Sequence, residues 1–328
     1  MLPFERLTSS GQARRLRILA LEALARYNLV VRRCTLVNRS FNTIFRVDAA
    51  DGTRAALRVG PSHRIHADGT ELAEANWLDS LRDDGHVVVP LVIAASDGSV
   101  AVVASSRGVP EPRSCVLFGW VPGRPMSERI TLERARALGT LSALLHRHAA
   151  AHTPAVAPDV LVGDHVLYWR DQDRLAELEP TYGALLADAA ELVQQTLDRL
   201  WRNPPHPAHL VHGDLVPSNV MVSGRETVVI DFQDLFWGFE VQDVAITIAS
   251  LARSAGGREL VDAFRDGYEI ERGWPATDAD TLATLVAGRY LHQLNLGLNL
   301  RKPGLEAFIA RQVVSIAEWM DELTPRSG

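Results

Sequence analysis

Short apolar runs broken by turn residues fill the first 121 positions, and helical spacing dominates afterwards. Residues 11–27 bring Leu16, Leu19, Ala20, Ala23, Leu24 and Tyr27 to one face and predict an amphipathic helix. Runs at 29–37, 43–49 and 54–59 read as strands, and the dipeptide Asp51-Gly52 joins the last two as a hairpin. A helix is expected at 69–84, then strands at 87–95 and 100–104 around Asp97-Gly98, and a strand at 114–121 ending in Pro122-Gly123. Beyond it, helices are expected at 131–149, 180–201, 242–254, 258–270, 279–300 and 305–323, with two short strands, 219–223 and 227–231, turning at Ser223-Gly224. A sheet-rich lobe followed by a helical one is an α+β arrangement, divided as 1–121 and 122–328.

Composition narrows the class. A chain of 328 residues with 47% apolar residues exceeds what one core usually serves, so two lobes are expected. Its two cysteines, Cys34 and Cys115, make no disulfide framework and suit a reducing cytoplasm. The N-terminal residues lack the apolar run of a signal peptide, and no apolar stretch is long enough to span a membrane, so a soluble cytoplasmic protein is expected. Net charge is −6, made of about +3 over residues 1–121 and −9 over 122–328. That acidic second half argues against a nucleic-acid groove and is compatible with a cationic small substrate. Only one lysine, Lys302, accompanies 33 arginines. Oligomeric state is not encoded in any of these features.

The stretch Leu210 to Asp234, LVHGDLVPSNVMVSGRETVVIDFQD, alternates strand, loop, strand, turn and strand. It sets His212, Asp214, Asn219, Asp231 and Asp234 at strand ends or in loops. Phosphoryl transfer needs such a set: one carboxylate near the acceptor hydroxyl, and oxygen ligands for a magnesium ion that neutralises phosphate charge. Aspartates that merely cap turns are the alternative for any one of these residues. The combination on successive strand ends favours the catalytic reading.

His212-Gly213-Asp214-Leu215 followed by Asn219 resembles the catalytic loop of the aminoglycoside phosphotransferase and choline kinase family, whose members have the protein-kinase-like bilobal fold. Ile230-Asp231-Phe232-Gln233-Asp234 resembles its metal-binding segment. The resemblance implies Asp214 as base, Asn219 and Asp231 as Mg²⁺ ligands, and ATP as phosphoryl donor to a small-molecule hydroxyl. His212 is expected to buttress the loop, with Asp234 beside it. Asp243 would either accept hydrogen bonds from the loop backbone or cap a helix. Leu145-His146-Arg147-His148 and Phe236-Trp237-Gly238 look similar to bacterial phosphotransferases near stress-response kinase A, the homoserine kinases and the fructosamine kinases.

In the first lobe, Asn38 to Val47 resembles the family's nucleotide loop, with Ser40, Asn42 and Thr43 over the phosphates. Arg58 stands where these kinases carry a phosphate-gripping lysine, a departure, since arginine is longer and planar. Glu74 shares an apolar helix face with Trp77, Leu78 and Leu81 and needs a partner. Arg58 is the expected one, with Glu71 as the other candidate acid. Val116 to Gly123 looks like the hinge that receives adenine, through Phe118, Trp120 and Val121. His148 and His152 have the i, i+4 spacing of metal ligands but read as a solvated helix end. On helix 279–300, His292, Asn295 and Asn299 form a polar set that would face an acceptor pocket together with Trp237. Two other functions stay open: a Ser/Thr protein kinase, which the same base would serve, and a nucleotide-binding module without turnover.

Overall fold

The computed structural model describes residues 2–152, 157–170, 172–275, 278–300 and 304–323; Lys302 lies outside them. In chain order the elements are α1 (Ser9–Leu24), β1 (Val31–Arg39), β2 (Thr43–Ala49), β3 (Arg54–Val59), α2 (Thr70–Asp84), β4 (Val92–Ile93), β5 (Val102–Ala104), β6 (Arg113–Gly119) and β7 (Arg124–Pro125). They continue with α3 (Leu132–Ala151), β8 (Leu161–Val162), α4 (Glu179–Arg202), β9 (His209–Val211), β10 (Val220–Ser223), β11 (Glu226–Val229), β12 (Phe236–Gly238), α5 (Glu240–Leu251), α6 (Gly257–Glu271), α7 (Ala279–Leu300) and α8 (Leu305–Leu323). The antiparallel-sheet first part and helical second part are those of the kinase-like α+β class.

The chain forms two compact units. The first comprises Met1–Arg64, Glu71–Arg124 and Met221–Ile230; the second comprises Ile65–Thr70, Pro125–Val220 and Asp231–Gly328. Each therefore takes in a segment from the other's stretch of sequence.

In the first unit the main sheet has the order β1-β2-β3-β6-β4, with β5 also on β6. Its pairs are antiparallel, as hairpins along a continuous chain allow. Strand β2 shows the period-two burial of a sheet with one covered face, Phe45 and Val47 inward. Helix α1 supplies that cover, burying Leu16, Leu19, Ala20, Ala23 and Leu24 against Phe45, Val47, Leu57 and Leu117. Thr8 caps the helix by accepting from Gly11 N–H. Cys34 and Cys115 are buried free thiols in the same core, and burial pushes the Cys115 thiol up to about 12.

In the second unit, α4, α5, α7 and α8 enclose a core built on Leu186, Val193, Phe239, Leu291, Leu294 and Trp319. Helix α6 packs along α3 so closely that Gly139 and Gly267 admit no Cβ. One built on Gly139 would lie 1.9 Å from Phe264 O, and one on Gly267 would lie 1.9 Å from Arg136 O. A small sheet, β8-β12-β9, crosses this unit and carries the loops that hold its polar residues. Among the described residues no helix is long and apolar enough to cross a membrane.

Candidate active site

In the second unit, strand β9 ends at Val211 and the chain turns through His212, Gly213 and Asp214. The turn requires Gly213: its φ is 76°, and a Cβ there would lie 2.0 Å from Asp234 O. The buried carboxylate of Asp243 accepts from Gly213 N–H at 2.8 Å and from His212 N–H at 3.3 Å. Helix α5 begins at Glu240, so Asp243 lies inside it and holds the loop backbone rather than capping the helix. His212 is fully buried against Phe232, and its Nδ1 accepts from Asp214 N–H at 3.2 Å. Thr247 Oγ1 donates to Leu215 O at 2.7 Å and fixes the far side of the loop.

Two side chains hold the Asp214 carboxylate. Asn219 Nδ2 donates to its Oδ2 at 2.8 Å and to the Asp214 carbonyl at 2.9 Å. Arg289, from α7, donates through Nη2 to Oδ1 at 2.5 Å. Burial pushes the Asp214 carboxyl up to about 7; Arg289 and Asn219 oppose the rise, while the charges of Asp234 and Asp231 add to it. Asp231 stands exposed in a left-handed conformation, φ 63°, which is uncommon for a residue with a side chain. Burial disfavours the Asp234 carboxylate, yet His66, whose Nε2 lies 2.6 Å from its Oδ1, and Arg289 hold its pKa below the usual value.

Behind the loop runs a buried polar chain. Asp243 Oδ2 meets His146 Nε2 at 3.0 Å, His146 Nδ1 meets Tyr268 OH at 2.8 Å, and Tyr268 OH reaches Glu240 at 3.4 Å. Burial opposes the Asp243 carboxylate, but His146, His212 and the Gly213 N–H keep its pKa lowered. Glu240 also meets Arg272 Nη2 at 2.6 Å. With His206 and His209 it forms the one group of His, Cys, Asp or Glu side chains, among the described residues, near enough together to hold a metal ion. His148 and His152 stack at 4.2 Å, with His152 Nδ1 on the His148 carbonyl, and His148 is buried, which corrects the reading of both as a solvated helix end.

Arg289 itself was not legible. It follows Leu285 and Gly288 on a buried face of α7, and the demand for a partner that marks Glu74 applies to it equally. The acidic partner lies 75 residues away in sequence. Trp169 and Tyr168, which pack on Arg289 and His292, were missed as well. His292 lines a cavity with Arg289. Asn295 and Asn299 do not: Asn295 Oδ1 accepts from Arg174 N–H at 2.8 Å and Asn299 Nδ2 donates to Gln172 O at 2.8 Å. Their amides fasten the 172–174 segment to α7, which corrects the reading that the three polar residues share a pocket. Trp237 is half-buried in β12, and its carbonyl accepts from Gly163 N–H.

In the first unit, Arg58 on β3 and Glu74 on α2 form a buried two-point ion pair: Nη1 to Oε1 at 2.8 Å and Nη2 to Oε2 at 2.5 Å. Glu71 instead pairs with Arg64 and accepts from Ser114 Oγ. The Arg58 guanidinium lies 5.0 Å over the Phe118 ring, and that of Arg46 lies 5.8 Å over the Trp120 ring. Of the hinge amides, Gly119 N–H donates to Leu91 O and Trp120 N–H to Arg54 O. The β1–β2 turn is closed by Ser40 N–H on Asn42 O at 2.9 Å, and Asn42 and Thr43 are buried there.

A microcompartment-associated aminopropanol kinase of known structure is 25% identical, with a TM-score of 0.74 and coverage of 94% of this chain and 97% of that one. An amicoumacin kinase solved with AMP-PNP and Ca²⁺ is 16% identical, with a TM-score of 0.71 over 95% of this chain and 96% of that one, a likeness of fold. A probable bifunctional tRNA threonylcarbamoyladenosine biosynthesis protein of Methanosarcina barkeri is 27% identical over 64% of this chain and 38% of its own length. A probable serine/threonine-protein kinase of Archaeoglobus fulgidus is 31% identical over 28% of this chain. The chain spans half or less of the length of these two curated relatives. The model of the phosphotransferase enzyme family matches residues 36–279, and the chain belongs to that family.

Proposed function

We propose that the chain moves the γ-phosphate of ATP onto a hydroxyl of a small molecule, with Asp214 as the base. The observation that carries this reading is the state of Asp214. Its carboxylate is gripped by Asn219 and Arg289 on a loop whose backbone is tied to Asp243, and burial pushes its pKa up to about 7. A base poised there accepts a proton near neutral pH without being so weak that it fails to draw one. The acceptor oxygen loses its proton to Asp214 and bonds to the γ-phosphorus, while the bond from that phosphorus to the β-phosphate oxygen breaks and leaves ADP.

The oxygen donors suit a divalent cation. Asn219 spends its Nδ2 on Asp214, which leaves Oδ1 as a ligand atom, and Asp231 contributes an exposed carboxylate. Hard ions such as Mg²⁺ prefer this set. When bound, the ion would neutralise phosphate charge. Arg58, in the family's lysine position, would grip the nucleotide phosphates while Glu74 holds its guanidinium in place. Val121, next to two amides already engaged in the sheet, would offer its N–H to adenine. The kinases named among the similar structures support this reading. The Archaeoglobus relative favours a second one, a serine/threonine protein kinase, which the same base would serve.

A screen with γ-labelled ATP and GTP separates them. Amino acids, hydroxy acids, sugars, amino alcohols, aminoglycosides and a protein acceptor would be offered in parallel. Label appearing in a small molecule is the expected result. Label confined to protein would support the second reading, and nucleotide binding without any transfer would overturn both.

A further inference from the structure

We infer that the acceptor carries a carboxylate, received by Arg289 at one end of a small cavity in the second unit. This rests on the reading of Asp214 as base and names the substrate class of the same site. The cavity, of about 40 Å³, is walled by Tyr168, Phe236, Leu285, Gly288, Arg289 and His292 among others, and among the described residues no Asp or Glu lines it. Among those residues its lining holds one Lys or Arg side chain, that of Arg289, itself paired with Asp214. That side chain is 6% exposed and spends only Nη2, on Asp214. The Tyr168 hydroxyl reaches the guanidinium and helps hold its charge. No aligned hydrogen bond satisfies Arg289 Nε and Nη1, and His292 Nε2 and Trp169 Nε1 beside it have no partner among the described residues.

Arginine and tryptophan nitrogens only donate. Buried donors left unmatched are rare in folded proteins, and a cluster of them around a cavity calls for an acceptor-rich ligand group. Burial and the neighbouring Arg289 keep His292 neutral, so the guanidinium remains the one cation of this cluster. A carboxylate on Nε or Nη1 would share the guanidinium with Asp214 and so hold the acceptor beside the base. A hydroxy acid and a hydroxy amino acid both present this chemistry.

Calorimetry on the full chain, with and without ADP, tests the inference using D-glycerate, L-homoserine, glycerol and 1-amino-2-propanol, alongside the transfer assay. D-glycerate or L-homoserine should bind at least tenfold tighter than glycerol. Which of the two is preferred identifies hydroxy acid or amino acid as the source. Arg289→Met should erase the preference and Arg289→Lys should restore part of it; the wild-type comparison stands even if Arg289→Met does not fold. Equal binding of D-glycerate, L-homoserine and glycerol overturns the inference. So does 1-amino-2-propanol binding and being phosphorylated while the carboxylates do neither, although the kinase reading would then stand. Arg289-dependent carboxylate binding with no transfer to any acceptor would keep the site and sink the kinase reading.

Discussion

Breaking the Arg58–Glu74 pair should destabilise the first unit far more than a surface ion pair would. The two side chains are 5% and 2% exposed, and they meet at two points, Nη1 on Oε1 and Nη2 on Oε2. Arg58→Ala leaves the Glu74 carboxylate buried without its cation and Glu74→Ala leaves the Arg58 guanidinium buried without its carboxylate, either of which costs about 3–5 kcal/mol. Replacing both together, as Arg58→Ala with Glu74→Ala, removes both charges at once, so the double variant should be more stable than the sum of the singles. The coupling between the two sites should be roughly 2–3 kcal/mol, the upper part of the range for contacting residues. Arg58→Lys keeps the charge but loses one of two charge-assisted hydrogen bonds, a cost of about 1.5–3 kcal/mol. It should therefore fold and bind ATP more weakly than the parent. Urea midpoints at constant m-value measure the stabilities, and calorimetry measures ATP affinity, which both single alanine variants should lower. Additivity of the two singles within about 0.5 kcal/mol in both measurements would refute the argument.

Three further outcomes follow from the second unit. Asp231→Ala should abolish transfer while leaving ATP binding measurable, and Asn219→Ala should be milder because it removes a neutral ligand. Calorimetry showing tight Mg²⁺ binding to the nucleotide-free protein, unchanged in Asp231→Ala, would place the ion elsewhere. Gly213→Ala should cost several-fold or more in activity and visibly lower thermal stability, because its Cβ would collide with Asp234 O at 2.0 Å in a left-handed turn; unchanged melting and activity would contradict the loop geometry. Burial lowers the His209 pKa to about 4, with His146 adding to the effect, so the folded chain keeps it neutral where the unfolded chain takes up a proton. Stability should fall with pH from about 6.5 towards 4 by up to about 1.4 kcal/mol per pH unit, and His209→Gln should flatten that slope in urea titrations.

Periodicity carried most of the helices, because an apolar stripe is a local property of the sequence. Boundaries moved by a few residues where capping decides them, as at Thr8 and at the start of α5. Strands β8, β9 and β12 are two or three residues long, too short for alternation to register. Asp214 and Asn219 were readable as parts of one loop motif, though the hydrogen bond between them was not, and Arg58–Glu74 was readable because a buried carboxylate demands a cation. Arg289 and His66 were not, since each meets its aspartate across 75 and 168 residues respectively. The same distance effect misassigned Asn295 and Asn299. Their spacing puts them on one helix face, but only the folded chain shows the 172–174 backbone lying against it.

The most direct test of the account is single-turnover transfer from γ-labelled ATP to the acceptor identified by the screen, comparing the parent chain with Asp214→Asn. The substitution keeps the size of the side chain and one of the two acceptor oxygens that Asn219 and Arg289 use, but it removes the base. Transfer should fall by roughly 10²–10⁴-fold, with ATP affinity unchanged. A near-native transfer rate in Asp214→Asn would contradict the central claim that this carboxylate takes the acceptor's proton.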